Sequence, residues 1–219
     1  GGGFGSKLGL GDYTVAAAQL ARQAGRPIKI VLSRRDNALC VGYRPSSHQA
    51  YKAGAKKDGT LVALQSRVVG TGGPYSEGGA GSADFVIREL YACPNVRCEN
   101  QSVYVNAGPE RAFRAPGHPQ GAWALEITLD ALAARLGLDP IELRLKNISK
   151  ISQVRGGNPY TTTGFADCLA EGAKAFGWKD ARSRPALPGH LKRGVGMAGG
   201  MWQGGAGGPP STAIVKLFA

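Results

Sequence analysis

The chain has 219 residues, 42% of them hydrophobic, enough apolar mass for one substantial core or two small ones. Its 34 glycines follow no collagen-like period, and no apolar run approaches the roughly 20 residues that span a bilayer, so fibrous and membrane-spanning classes are excluded. A formal charge of +12 raises nucleic-acid binding, but Lys56-Lys57 and Arg34-Arg35 are isolated pairs without interleaved aromatics, which favours a solvated or subunit-facing basic surface.

The chain opens on Gly1-Gly2-Gly3-Phe4-Gly5-Ser6-Lys7. Consecutive glycines expose backbone N–H groups and let a bulky oxygen-rich or anionic ligand lie directly on the main chain. A nucleotide phosphate, a dinucleotide pyrophosphate or a metal–oxo centre would all suit it. The P-loop of nucleoside triphosphatases needs a hydroxyl after its lysine, where this chain has Leu8. The dinucleotide fingerprint needs a different glycine spacing and a later acid, and the nearby Arg34-Arg35 does not supply one. A flexible glycine linker is the remaining reading of the loop alone.

Asp12 reads as the N-cap of an Ala-rich helix to residue 24, whose small side chains allow close packing on a sheet; Gly25 and Arg26-Pro27 stop it. Residues 28–32 are rich in β-branched side chains (Ile28, Ile30, Val31) and predict a strand, with Arg34-Arg35 at its end. Asp58-Gly59 signals a two-residue hairpin between strands at 51–55 and 61–64. A glycine-rich loop over 70–81, a short helix around 84–90 and an extended stretch over 97–105 follow.

Arg111-Ala112-Phe113-Arg114-Ala115-Pro116-Gly117-His118-Pro119-Gln120 then forms an arginine-rich turn at the head of a helix. An arginine there offers planar, bidentate donors to an oxygen-rich ligand, or simply a surface salt bridge. Leu125, Leu129, Leu132 and Leu136 draw one apolar stripe along 120–136, which Gly137 ends. Asp139-Pro140-Ile141-Glu142 is an N-cap signature for a second helix to about Lys146. Residues 148–159 read as a polar surface connection. A third helix spans 165–176, capped by Thr163 and ended by Gly177. Beyond Arg193, residues 195–202 read as extended, 204–210 as a loop, and the alternation over 213–218 as a strand. Strands and helices intermingle without strict β-α-β order, so the fold class is α+β, with helices packed on mixed or antiparallel sheets.

The four cysteines, Cys40, Cys93, Cys98 and Cys168, are too scattered for a disulfide scaffold. Cys93 and Cys98 lack a second Cys or His pair, so no protein metal ligand is expected; the pattern favours a reducing compartment.

The glycine loop and the arginine turn, in this order and approximate separation, resemble the molybdenum-cofactor subunits of the aldehyde oxidase and xanthine dehydrogenase family. The run from Leu136-Gly137-Leu138-Asp139-Pro140 to Asn147 and the later Arg193-Gly194-Val195-Gly196 extend the similarity over most of the chain. The resemblance implies an incomplete piece of a molybdopterin-binding domain. Residues 1–180 would be part of the first cofactor-binding domain, and 181–219 a linker and the start of the following region. It also implies a piece of a longer polypeptide, in keeping with a start on glycines and a stop inside a strand-like run.

By that resemblance Gly3, Phe4 and Gly5 form the cofactor-binding loop, with the backbone at Phe4 and Gly5 against the apical oxo ligand of molybdenum. Arg114 reaches towards the molybdenum and substrate region. Leu8 stands where purine-oxidising members carry a glutamate, and Pro116 where they carry a stacking phenylalanine. Ala115 stands where copper-containing carbon monoxide dehydrogenases carry a cysteine. The implied substrate is therefore an aldehyde or aromatic N-heterocycle, hydroxylated with water-derived oxygen. The implied cofactor is molybdenum–molybdopterin, in its cytosine dinucleotide form if bacterial. Iron–sulfur clusters and FAD would sit on partner subunits. The family's glutamate base matches no residue here, so no catalytic residue is expected and the chain alone should be inactive. Glu77, Glu110 and Glu126 read as surface or helix-face carboxylates. The expected compartment is cytoplasmic, or periplasmic by export with a partner. A non-catalytic basic domain that binds phosphate, nucleotide or another protein is the alternative from a different class.

Overall fold

The computed structural model describes residues 3–6, 8–74, 80–160, 162–183, 185, 187 and 189–202. The architecture is α+β around one mixed three-stranded sheet in the order β1-β2-β3. β1 (Ser47–Ala55) and β2 (Leu61–Thr71) pair antiparallel, with Tyr51 opposite Ser66. β3 (Val96–Val103) joins β2 in parallel, with Leu64 opposite Val96. The hairpin forms where its turn residues predict, but its connection is one residue longer than two. Lys56 N–H donates to Thr60 O at 2.9 Å, enclosing residues 57–59, and Gly59 takes φ 86°.

β2 is central: from Leu64 its burial alternates, and Leu64 enters the main core together with Leu61, which lies beyond the register shift at Gly54/Ala55. Over them lie α3 (Phe85–Glu89) and α4 (His118–Leu136). From α4 the core takes Leu125, Leu129 and Ala133, with Leu132 and Leu136 half-buried at its margin, so the predicted stripe is the packed face. Each fully buried leucine stabilises the fold by roughly 1.5–3 kcal/mol. α5 (Pro140–Lys146) begins as its sequence predicts: the Asp139 carboxylate accepts from the Ile141 amide at 2.7 Å and the Glu142 amide at 3.4 Å. α6 (Phe165–Phe176) ends at Gly177 as expected and is followed by α7 (Trp178–Ser183), a short helix that the sequence reading did not name. Gly177 takes φ 66° and ends α6, but the chain re-enters a helix at once.

Several expectations are corrected. Residues 28–32 lie in no strand; Ile28, Ile30 and Val31 are exposed, because β-branched residues need a neighbouring strand to form a ladder. Arg34-Arg35 instead start α2 (Arg34–Asp36), capped by Ser33, which runs into a π-helical turn at Asn37–Val41. α1 (Asp12–Ala24) has the predicted extent but buries none of its residues, and Gly11 is its N-cap, leaving Asp12 as a first-turn acid. Gly164, not Thr163, caps α6. The expected loop over 204–210 and strand over 213–218 lie outside the described residues, as does Glu77.

Residues 148–159 are more than a surface connection. Glu89, 2% exposed, accepts from Ser152 Oγ at 2.6 Å and the Gln153 amide at 2.9 Å, and Tyr160 O–H donates to it at 2.8 Å. That buried carboxylate stitches the segment to α3. Glu126 is equally misjudged as a helix-face acid: it is 3% exposed and paired with Arg144 Nε at 2.8 Å. No described helix is long and apolar enough to cross a membrane.

Candidate cofactor site

The glycine loop is a succession of tight turns. Ser6 N–H and Ser6 Oγ both donate to Gly3 O, at 2.9 and 2.8 Å, and Leu8 N–H donates to Gly5 O at 3.2 Å. Phe4 adopts φ 51° and Gly5 φ 113°, so the loop bends through the left-handed region at both. Glycine at position 5 is needed for space as well: a Cβ there would stand 2.6 Å from Ala112 O.

That close approach joins the two motifs. The Arg114 amide donates to Phe4 O at 2.6 Å, and the Phe4 and Phe113 rings lie 6.5 Å apart. Three residues singled out from sequence, Phe4, Gly5 and Arg114, are thus on adjoining backbone, with Gly3 closing the loop behind them. Leu8 leaves the loop with its side chain 82% exposed, while Pro116 is half-buried in the turn. No hydrogen bond of Leu8 reaches the turn among the described residues.

The turn itself is bent by Ala115 at φ 56° and Gly117 at φ 76°. A Cβ at Gly117 would overlap Ser82, and one at Gly121 would overlap Ala83 O, so only glycine lets the head of α4 sit on residues 81–83. His118 Nδ1 lies 3.0 Å from Pro116 O; a carbonyl only accepts, so that nitrogen carries the hydrogen. The His118 ring packs between Phe85 at 5.0 Å and Trp202 at 4.6 Å.

Sequence reasoning missed Arg44 and Glu110. Arg44 Nη2 donates to Arg114 O at 2.7 Å, and its guanidinium lies 4.8 Å from the Phe113 ring centre. Glu110 is 8% exposed, not a surface acid; it accepts from the Ser46 amide at 3.3 Å and from Thr71 Oγ1, holding the start of the turn to both ends of the hairpin. A lone arginine in a loop and an acid before a turn carry no periodic signal, so neither is visible without long-range contacts. The acid's burial depends on β1 and β2 closing over it.

What remains uncommitted defines the chemistry. Among the described residues the amides of Phe4 and Gly5 and the guanidinium of Arg114 donate to nothing, and Arg114 is exposed. No group of three or more described His, Cys, Asp or Glu side chains could hold a metal ion. The donors are therefore N–H groups only. Such a set fits oxo, pterin or phosphate oxygens, the groups that a molybdenum–pterin cofactor presents.

The family model of the molybdopterin cofactor-binding domain matches residues 1–148. The chain belongs to that family. It is 32% identical over 202 residues to the aldehyde oxidoreductase molybdenum-binding subunit PaoC of Escherichia coli O157:H7, covering 91% of this chain and 26% of that protein. Against the aldehyde oxidoreductase of Megalodesulfovibrio gigas it is 34% identical over 221 residues, covering 97% of this chain and 24% of the relative. The fold matches the crystal structure of quinoline 2-oxidoreductase from Pseudomonas putida 86 with a TM-score of 0.74 at 26% identity, over 83% of this chain and 24% of that one. The chain thus spans about a quarter of the length of the curated relatives it matches.

Proposed function

We propose that the parent protein is a molybdenum hydroxylase acting on aldehydes or aromatic N-heterocycles, and that this chain forms part of the wall on which its molybdenum–pterin cofactor rests. One observation carries the proposal: the 2.6 Å hydrogen bond from the Arg114 amide to Phe4 O. It brings two donor-rich loops, remote in sequence, to one place with the amides of Phe4 and Gly5 and the Arg114 guanidinium unused among the described residues. Gly3, Phe4 and Gly5 would hold the cofactor through backbone, and Arg114 would offer its planar fork to an oxygen of the cofactor or substrate. When bound, that group supplies insertion of oxygen from water and takes up two electrons. The chain's own part is to bind and orient.

Leu8 and Pro116 would line the substrate side. Neither offers a side-chain hydrogen bond, which suits an apolar aldehyde or heterocycle better than a purine. Two aldehyde oxidoreductases and a quinoline oxidoreductase fall in that range, but a relative named a xanthine dehydrogenase subunit is equally similar at 32% identity, so the choice rests on Leu8 and Pro116. In this reading residues 1–180 belong to the first cofactor-binding domain and 181–219 lead into the next. The cofactor carries a cytosine dinucleotide in a bacterial host. The general base comes from elsewhere in the parent, partner subunits carry iron–sulfur clusters and FAD, and the isolated chain is inactive.

The test is the molybdenum and pterin content, by elemental mass spectrometry and fluorescence, of the full-length protein purified with its partners. Near-stoichiometric metal supports the proposal and justifies screening aldehydes and N-heterocycles. Absence of molybdenum, in a host shown to make the cofactor, overturns it in favour of a phosphate-binding domain.

A further inference from the structure

We infer that Arg44 is a positioning residue for Arg114: it locks the main chain of the arginine turn so that the Arg114 guanidinium is presented to a bound oxygen-rich group. The inference deepens the cofactor-site reading above and rests on it.

Both backbone groups of Arg114 are held from outside the turn. Its N–H is held by Phe4 O at 2.6 Å, and its C=O accepts from Arg44 Nη2 at 2.7 Å. Directly after it, Ala115 sits at φ 56°, a conformation that residues other than glycine rarely adopt unless their surroundings impose it. Arg44 is placed to impose it. Its second nitrogen, Nη1, donates to Gln120 Oε1 at 3.3 Å, so one guanidinium spans Arg114 and Gln120, on either side of Ala115. The Phe113 ring lies against it, 4.8 Å from ring centre to guanidinium carbon. Gln120 is fixed in turn, its Nε2 donating to Pro45 O at 3.0 Å and its carbonyl accepting from Gln49 Nε2 at 3.0 Å.

No ion pair of Arg44 with a carboxylate occurs among the described residues, so its donors serve the turn. Only a planar fork can reach both acceptors while lying on a ring; a lysine ammonium is a single point charge on a flexible stem. The Arg114 side chain is left exposed and without a described partner, on a main chain hydrogen-bonded through both its N–H and its C=O.

The experiment uses the full-length protein with its partner subunits and compares Arg44→Ala, Arg44→Lys, Arg114→Ala and the Arg44→Ala/Arg114→Ala pair. Two readouts are taken. The first is amide hydrogen exchange over residues 111–117, which needs no cofactor. In Arg44→Ala it should rise at least about tenfold while the melting temperature stays close to wild type, a local opening and not global unfolding. The second is turnover and the paramagnetic resonance of the metal centre. Arg44→Ala should lower kcat about a hundredfold, the scale of a small misplacement, and perturb the spectrum as Arg114→Ala does. The double variant should be no worse than the poorer single one, because both remove the same function. Arg44→Lys should not restore either readout.

Unchanged exchange in Arg44→Ala, additive losses in the double variant, or full rescue by lysine overturns the inference. Should Arg44→Ala fail to fold, Arg44→Lys keeps the charge and carries the same exchange and turnover comparison. A wild-type protein without molybdenum would instead overturn the cofactor reading, and the exchange experiment would still decide the role of Arg44.

Discussion

The amide of Gly199 donates to Glu126 Oε2 at 2.5 Å, tying the glycine-rich stretch after Arg193 to the middle of α4. The same carboxylate accepts from Arg144 Nε at 2.8 Å and from Tyr91 O–H at 2.8 Å, so both of its oxygens are engaged. Arg144 is fully buried, also donates to Pro140 O and Glu126 O, and forms an ion pair with Asp130 at 2.8 Å. Burial first, and then the Glu126 charge, push the Tyr91 hydroxyl well above its ordinary range, so it stays a donor. Removing one partner of a buried pair strands the other. Arg144→Met is expected to destabilise by about 3–5 kcal/mol in urea denaturation, and Glu126→Gln/Arg144→Met by clearly less than the two single losses together.

Two glycines in helices should respond to alanine with opposite signs. At Gly121 a methyl group would overlap Ala83 O, a backbone atom that cannot yield cheaply, so Gly121→Ala should cost about 1–3 kcal/mol. At Gly172, exposed within α6, nothing lies within 4 Å, so Gly172→Ala should stabilise by roughly 0.5–1 kcal/mol through helix propensity alone. Melting temperatures of the two variants check both signs.

Asp58 introduces an acid dependence. The Thr60 amide, and then Lys146, hold its carboxyl down at about 2, against an ordinary value of 3.8. A carboxyl whose folded value is lowered contributes stability above its unfolded value and loses it as pH falls from about 4 through about 2. In Asp58→Asn the decline of melting temperature over that window should be shallower than in wild type. An identical slope would show that the exposed turn contributes nothing measurable.

Under the proposed function, Leu8 bears on substrate choice in the full-length protein. Leu8→Glu should lower kcat/KM for an apolar aldehyde or N-heterocycle about tenfold or more, by placing a charge where an apolar ring would lie. Molybdenum content should not change. Unaltered specificity would remove Leu8 from the substrate pocket.

What could be read from sequence was local. The cap at Asp139, the leucine stripe of α4 and the turn at Asp58-Gly59 depend on residues within a few positions of one another, and each element formed where expected. The two site motifs were also legible as loops, because glycine spacing and an arginine beside a Pro-Gly turn are short-range patterns. Residues 28–32 show the limit: their β-branched content is real, but a ladder needs a partner strand that composition does not reveal. Glu126 had a faint signal, an acid beside Leu125 and close to the stripe; Glu110 had none.

The sequence by itself therefore determined the capped helices, the hairpin turn and the family of this chain. Only the tertiary structure decided that Arg114 lies on Phe4, that Arg44 grips the far side of the same residue, and that Glu89, Glu110 and Glu126 are interior. The reason is physical. Propensity and capping act over one or two turns of chain, whereas burial and a shared hydrogen bond arise only when remote segments close on one another and exclude water.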